Sequence, residues 1–504
     1  MTNSNIETDS VSRRDFMRTA ALAAAAVTEL SLASQTLAAD DTQPAVASSD
    51  KPLIGFQAEV SYLLSYGIAA FLDDVQTRAN VNAVFLHSNL FAPSKGGPNG
   101  PGSFAAAHPE YYQDVKMKPQ PLGPGDFNLP DAMEQITAET KKRGVKIYSW
   151  MEEDNRARPN INGMDELYEI DLHGRRTAAH PGGPCLNNPY FRNLIAGQVE
   201  DYLRTYDVDG LQRGSERQGP LGNALGAWHH GAAPKNLPGQ TSCFCEYCQA
   251  KAAKVGIDFD KVKAAFLALE PFVTNGRAGR RPLDGYNVEF WRLLLKHPEL
   301  LAWENFWADS MREMQREFYA KAKSIKPTVQ IGFHIWHNIA FNPMYRAEQE
   351  YKPYTEYSDF LKPVIYDNCA AERMASFVDS IGQTIYGDMG KEQLLQMEYS
   401  VMDFKEKTYA QIHAGRDGER FSADYVYKET KRAVDGVAGS KTRICPGLGI
   451  DVQIQNSTPQ SVADAVRAIF RAGGKGMVIS TSHAAMKPEN LSAAGATLRE
   501  LKVV

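Results

Sequence analysis

Short runs of β-branched and aromatic residues alternate along the chain with longer stretches whose apolar positions recur every three or four residues. The first pattern is typical of buried strands and the second of amphipathic helices. Eight strands are predicted, at Leu53–Phe56, Ala83–His87, Lys146–Met151, Gly210–Arg213, Gln330–His334, Val364–Tyr366, Ile444–Gly449 and Met477–Ser480. The main helices are predicted at Leu129–Arg143, Tyr190–Tyr206, Leu300–Ser324, Ala423–Val437 and Pro459–Ala472.

Strands that alternate with helices predict an α/β fold, and eight of them are the number that closes a (β/α)8 TIM barrel. The competing fold is an open doubly wound sheet, which would need a glycine-rich phosphate turn after an early strand. The segment Ile54–Glu59 has no such turn. Three long insertions follow the second, fourth and sixth strands, at Ser88–Phe127, Gln218–His297 and Asn368–Arg420. They are expected to cover the face of the barrel where active sites lie.

The N-terminal segment carries the paired arginines Arg13 and Arg14, a short Ala- and Leu-rich run, and small residues around Ala38 and Ala39. This order is typical of a twin-arginine signal, which the export machinery reads as an address and which is no membrane anchor. The predicted division is a signal at 1–39, a linker at 40–50 and the barrel at 51–504. We therefore expect a periplasmic or secreted protein that is exported folded.

Overall composition narrows the possible partners. The formal net charge is −5 and the chain has no basic stripe, whereas nucleic-acid binding requires clustered Lys and Arg. Aromatic residues make up 10% of the chain, which permits sugar-stacking surfaces. The expected partner is a carbohydrate and not a nucleic acid.

Glu216 is the predicted catalytic residue. It follows the fourth strand, and strand ends on this face of a barrel point into the catalytic mouth. The alternative is a structural ion pair between Glu216 and Arg213 or Arg217, at the root of the loop.

The cysteines Cys243, Cys245 and Cys248 have the spacing C-x-C-x2-C, which can bring three thiolates onto one tetrahedral ion. Cys185, which precedes the helix leading to the fourth strand, is the candidate fourth ligand. With four protein ligands the ion, expected to be zinc, would be structural. The alternative is one disulfide together with free thiols.

A strand-end glutamate followed by C-x-C-x2-C, with a cysteine upstream, resembles the glycoside hydrolase family 42 β-galactosidases. The segments Cys185–Phe191, Asp209–Pro220 and Phe421–Tyr425 look still more like a group of bacterial hypothetical glycoside hydrolase-like barrels. The resemblance implies a sugar-active barrel with Glu216 as acid/base and the four cysteines as zinc ligands.

The chain departs from that pattern at the second carboxylate. Family 42 has a glutamate at the end of the seventh strand, and this chain has Asp451 instead. Asp451 is the first choice for a nucleophile or stabilising carboxylate, since glycoside hydrolysis uses two acids. The alternatives are Asp367, Glu152, Glu153 and Glu398.

Aromatic and histidine side chains at strand ends are candidates for stacking on a sugar or bonding to its hydroxyls. Strand alternation predicts that His334 and Trp336 share a face. The predicted substrate-binding residues are His87, Trp150, His334, Trp336, Tyr366 and Arg217.

The sequence thus favours an exported glycoside hydrolase in which Glu216 protonates the leaving oxygen and Asp451 attacks or stabilises the reacting carbon. Two other classes stay open. One is a metal-dependent sugar lyase or isomerase that uses His334, His87 and an acidic residue. The other is a non-catalytic glycan-binding barrel.

Overall fold

The computed structural model describes residues 51–87, 109–112, 132–152, 164–177, 183–227, 241–413, 419–480 and 482–504. The predicted signal and linker, and nearly all of the first insertion, lie outside these residues. Pro52–Val504 form one compact unit. No helix among the described residues combines the length and the apolar character needed to cross a bilayer.

The centre of the fold is a single parallel sheet, and within the described residues its first strand pairs with both the second and the last. All of the strand pairs in this sheet are parallel. The strands are β1 Leu53–Glu59, β2 Ala83–His87, β3 Lys146–Glu152, β4 Gly210–Gly214, β5 Gln330–Ile335, β6 Phe360–Pro363, β7 Arg443–Ile444, β8 Gly447–Gly449 and β9 Gly476–Ser480.

The sheet closes into a barrel because β7 and β8 are two parts of one strand. β7 pairs with β6 and β8 pairs with β9, while Val364 forms a further parallel bridge with Gly447. Pro446 lies between the two parts and has no N–H to donate, but its carbonyl accepts a 2.8 Å bond from Val478 N. The predicted eight-stranded α/β barrel is therefore confirmed.

Alternation along the strands separates an inner face from the helix-covered outer face. The inner face holds a compact apolar cluster that includes Phe85, Tyr148 and Phe360. Two glycines make room for these rings, since a Cβ on Gly210 would lie 2.3 Å from Tyr148 and one on Gly332 would lie 2.2 Å from Phe360. Large and small residues thus fill the barrel interior in a complementary way.

The described helices lie mainly between consecutive strands, and the predicted ones recur with ends shifted by a few residues at most. The helices are α1 Val60–Tyr66, α2 Ile68–Ala79, α3 Ala132–Lys142, α4 Pro189–Thr205, α5 Pro220–Leu225, α6 Glu246–Lys254, α7 Phe259–Arg277, α8 Tyr286–Lys296, α9 Glu299–Ile325, α10 Pro343–Glu348, α11 Tyr351–Tyr354, α12 Asp367–Ile381, α13 Lys391–Met402, α14 Tyr409–Ile412, α15 Ala423–Gly436, α16 Pro459–Arg471 and α17 Pro488–Glu500.

The sixth strand is the one that sequence reasoning misplaced. It was predicted at Val364–Tyr366, whereas β6 spans Phe360–Pro363. Phe360 and Leu361 pair with β7, while Tyr366 is already the N-cap residue of α12. Lys362 and Pro363 interrupt the apolar residues between Phe360 and Tyr366, so hydrophobicity favoured the segment after them as the strand.

Candidate active site

Polar side chains collect on the inner face at the carboxyl ends of the strands. Lys362 on β6 is the centre of this group and is fully buried. Its Nζ donates to Gln57 Oε1 of β1, to Tyr366 OH at 2.7 Å and to Ser480 Oγ of β9 at 3.1 Å. The alternating pattern that turns these residues inward also turns inward Trp150 on β3 and His334 on β5.

Glu216 lies just beyond the end of β4, at the mouth of the barrel. Its side chain is 37% exposed, and its Oε1 is 3.2 Å from Nε2 of His334, which is buried. Strand pairing explains the contact, because Gly214 of β4 is in register with His334 of β5. A carboxyl group that is open on one side and held by an imidazole on the other can exchange a proton with a ligand.

The loop that carries Glu216 is anchored by its neighbour in sequence, Arg217. The buried Arg217 guanidinium forms an ion pair with Glu169 and donates to the Pro184 carbonyl at 3.0 Å. Arg213 points to the outside of the barrel, where its guanidinium lies over the ring of Phe318. The described contacts of Arg217 therefore hold the loop in place, while those of Arg213 join β4 to α9.

Burial and charge act together on His334. The pKa of His334 is lowered, first by burial and then by the positive charges of Lys362 and Arg373, while Glu216 acts in the opposite direction. Trp150 stacks on the His334 ring with 6.1 Å between ring centroids. The lowered pKa favours the neutral imidazole of His334, which lies between the Glu216 carboxyl and the Lys362 ammonium group.

A second exposed carboxylate lies on the inner face, Glu59 at the end of β1, and it was not predicted from the sequence. Its side chain is 54% exposed, and its Oε1 is 2.9 Å from Nδ1 of His87. The His87 ring lies 4.7 Å from that of Trp150. Trp150 therefore has a carboxylate–histidine pair on each side. The available signal was the alternation Leu53, Gly55, Gln57, Glu59, which carries the inner face of β1 to the mouth.

Polar atoms of the inner face lack partners among the described residues. The Trp150 Nε1, the Gln57 Nε2 and both amide atoms of Gln212 are buried and make no hydrogen bond with described protein atoms. Buried polar atoms in folded proteins are nearly always satisfied, by protein, water or ligand. Donors and acceptors of this kind match water or the hydroxyl groups of a sugar.

Asp451 has a different environment. It is buried, with a φ of 53°, in the turn after β8. Its Oδ1 accepts from Ser457 N at 3.1 Å, and its Oδ2 accepts from Lys487 N at 3.2 Å and from Asn490 Nδ2 at 3.0 Å. Oδ1 thus bonds within the loop before α16, and Oδ2 joins that loop to the start of α17. A catalytic role for Asp451 stays a prediction.

The other candidate carboxylates differ in burial and contacts. Asp367 is buried at the start of α12 and forms an ion pair with Arg420. Glu398 is buried in α13. The side chain of Glu152 and the whole of Glu153 lie outside the described residues.

Among the predicted substrate-binding residues, His87, Trp150 and His334 lie together on the inner face. Tyr366 is buried beneath them and accepts from Lys362. Trp336 is fully buried and packs edge-to-face against Tyr345. With Arg217 engaged at the loop root, the structure brings together three of the six; direct contact with substrate stays a prediction for all six.

The four cysteines predicted as metal ligands converge at one point. The Sγ atoms of Cys185, Cys243, Cys245 and Cys248 lie within 4.8 Å of one another, and all four residues are buried. This is the one group of three or more such ligands within reach of a common ion in the described part of the chain. The Sγ of Cys185 lies 3.5 Å from those of both Cys245 and Cys248.

These residues fit a tetrahedral ion. A Zn–S distance of about 2.3 Å places sulfurs of a tetrahedral site about 3.8 Å apart, close to the separations seen here. Three N–H groups also point at the sulfurs, from Ile170 N to Cys243 and from Asn187 N and Nδ2 to Cys185 and Cys248, each at 3.4 Å. Such N–H···S bonds favour the thiolate form that binds metal.

The cysteine cluster and the Glu216 loop are joined by one buried path. Ser242, which precedes Cys243, donates to Glu169 Oε2 at 2.7 Å, and Glu169 binds Arg217. Burial raises the pKa of Glu169, against the opposing effects of Arg217 and Ser242.

No protein-family model matches the chain, and no curated protein sequence resembles it significantly. Among solved structures it is similar to the PgaB (BpsB) glycoside hydrolase domain from Bordetella bronchiseptica, with a TM-score of 0.45 and 11% identity over 89% of this chain and 98% of that one. It is also similar to a β-galactosidase from the Antarctic haloarchaeon Halorubrum lacusprofundi, with a TM-score of 0.48 and 12% identity over 88% of this chain and 57% of that one.

A third similar structure is a catalytic mutant of a GH42 β-galactosidase from G. stearothermophilus, with a TM-score of 0.48 and 8% identity over 90% of this chain and 58% of that one. The chain thus spans a little over half the length of these two galactosidases. All three proteins are glycoside hydrolases, and the sequence relationship to them is very distant.

Proposed function

We propose that this chain hydrolyses a glycosidic bond, with Glu216 as the residue that exchanges a proton with the glycosidic oxygen. The observation that carries the proposal is the setting of Glu216 at the mouth of the barrel. Its carboxyl is partly exposed and bonds to the buried His334. The His334 ring stacks on Trp150, whose aromatic ring and N–H, unbonded among the described residues, suit a hydroxylated ligand. Reaction at a sugar further requires a second carboxylate.

Two residues are candidates for that second carboxylate. Glu59 is exposed and lies on the inner face at the other side of Trp150. Asp451, the residue favoured by the sequence, has both oxygens engaged in hydrogen bonds, one to Ser457 of its own loop and one to Asn490 of α17. The exposure of its side chain to solvent favours Glu59 as the second carboxylate. The position after the seventh barrel strand favours Asp451.

The test is hydrolysis of a panel of fluorogenic α- and β-glycosides and of oligosaccharides by the full chain. We expect at least one substrate to be cleaved and Glu216→Gln to abolish most of that activity. Glu59→Gln and Asp451→Asn then show which second carboxylate matters, and Glu356→Gln, on the exposed outer surface, is the matched control. Activity that survives Glu216→Gln unchanged would refute the proposal.

We further propose that the four cysteines bind a structural zinc ion, which would tie the insertion after β4 to the loop before α4. Metal analysis of the purified chain should find about one zinc per molecule, and Cys245→Ser should lower both the metal content and the melting temperature. Disulfide formation, detected as a loss of free thiols after denaturation in the presence of a chelator, would contradict it.

Export by the twin-arginine pathway is the final element of the proposal. Replacement of Arg13 and Arg14 by lysine should leave the chain in the cytoplasm in a fractionation experiment. Export of the double variant at the normal level would show that another signal is used.

A further inference from the structure

We propose that Lys362 is a positioning residue, whose ammonium group fixes the tautomer of His334 and so directs the Nε2–H of His334 at Glu216. The three side chains come from the ends of β4, β5 and β6, and they form a continuous line from the barrel interior to its mouth. His334 Nε2 is 3.2 Å from Glu216 Oε1, and His334 Nδ1 is 3.5 Å from Lys362 Nζ.

A neutral imidazole carries one N–H, and its position is set by what faces the two nitrogens. A cation 3.5 Å from Nδ1 makes a proton on that nitrogen unfavourable, even where the hydrogen bond itself is weak. The proton of His334 then resides on Nε2, which faces the acceptor Glu216.

Lys362 is held as a donor by the oxygens around it. Its Nζ bonds to Gln57 Oε1, Tyr366 OH and Ser480 Oγ, and the amide oxygen of Gln57 can only accept. The ammonium also lies 5.9 Å from the ring centre of Trp150. These contacts come from both sides of the barrel interior, so the charge is fixed in place relative to Nδ1.

The charged groups that act on His334 are Lys362 from β6, Glu216 from the end of β4 and Arg373 from α12. Burial, Lys362 and Arg373 all disfavour the imidazolium form, and Glu216 alone favours it. The consequence for Glu216 is that its Oε1 accepts the Nε2–H.

The tautomer can be measured on the resting full-length protein by nitrogen NMR of ¹⁵N-histidine-labelled chain, with the His334 signals assigned by their loss in His334→Gln. We expect an unprotonated Nδ1 and a protonated Nε2 at pH 7. A protonated Nδ1, or a doubly protonated ring, would overturn the inference. This measurement needs no substrate, so an inactive chain with the expected tautomer would refute the proposed function and not the role of Lys362.

The kinetic consequence rests on the proposed function and is tested with a double-mutant cycle. Lys362→Met removes the charge, so His334 should protonate more readily and stabilise the Glu216 carboxylate. The alkaline limb of the kcat/KM profile should then move to lower pH by about one unit. In a His334→Gln background, where the glutamine amide supplies a donor without a tautomer, Lys362→Met should shift the limb by less than half as much. An equal shift in both backgrounds would overturn the inference.

Discussion

Glu216 and Asp451 both follow a barrel strand, yet they differ in exposure and in hydrogen bonding. Glu216 is partly exposed, and the contact described for it is with His334, from the neighbouring strand. Asp451 is buried and accepts three hydrogen bonds from the start of the next helices. Position at a strand end thus brings an acid to the mouth, but hydrogen bonding decides whether the acid is available to a ligand or occupied in holding a turn.

The largest expected effect is the loss of catalytic activity on substitution of Glu216. Glu216→Gln keeps the size of the side chain and its contact with His334 but cannot transfer a proton. We expect kcat to fall by about 10²–10⁴-fold. The free energy of unfolding, measured by urea denaturation, should stay within about 0.5 kcal/mol of the wild-type value. A strongly destabilised variant would show that Glu216 has a structural role, as its hydrogen bonds suggest for Asp451.

The next effect concerns the ion pair that holds the Glu216 loop. Arg217→Met leaves Glu169 buried without its cation, and breaking such a pair typically costs about 3–5 kcal/mol. Denaturant unfolding should show that loss. The double variant Arg217→Met with Glu169→Met should recover part of it, because no charge then stays buried alone. Additive losses in the double variant would mean that the pair is not the source of stability.

Asp451→Asn tests whether Asp451, unlike Glu216, contributes mainly to stability. Asparagine tolerates the positive φ of 53° at this position, so the substitution isolates the hydrogen bonds from the backbone conformation. Its NH₂ group would face donors, and we expect a loss of about 1–3 kcal/mol in unfolding free energy. A variant of normal stability with no activity would instead make Asp451 the second catalytic carboxylate, as the sequence predicts.

An effect limited to the higher pH range is expected at Glu398, an acid with no hydrogen-bond partner among the described residues. Burial raises the pKa of Glu398 from 4.5 to about 8. The folded state therefore binds this proton more tightly than the unfolded chain does, and stability falls as pH rises from about 4.5 to about 8. Glu398→Gln should remove this loss and stabilise the chain at pH 8 by roughly 1–3 kcal/mol.

The control for this last prediction is pH itself. Near pH 4.5 the wild-type and Glu398→Gln chains should have similar melting temperatures, because Glu398 is then protonated in the folded state. A constant difference at every pH would show that packing, and not ionisation, separates the two proteins.

Much of the architecture could be predicted from periodicity. Seven of the eight predicted strands recur at nearly the expected residues, and the sixth was displaced because Lys362 and Pro363 made the segment after them look like the apolar strand. The convergence of the four cysteines was also predictable, since three of them lie within six residues and Cys185 precedes the helix that leads to β4.

The arrangement of side chains at the mouth of the barrel was harder to predict from the sequence. Glu59 was overlooked, because a glutamate at the end of an early strand has no motif around it. Trp336 was expected on the same face as His334, but the chain turns after β5 and buries it against Tyr345. Both outcomes depend on contacts between residues far apart in the chain, which local patterns do not encode.

The sequence by itself determined the class of fold, the carboxyl-end location of Glu216 and the cysteine set, because period, strand-end position and ligand spacing are local properties. Only the tertiary structure decided which acids are available and how they are held. Lys362 bonds to Gln57 and Ser480 across the closed barrel, and Asp451, in the turn after β8, bonds to Asn490 of α17. The physical reason is that burial, hydrogen bonding and charge are set by neighbours in space, and the closed barrel brings those neighbours together.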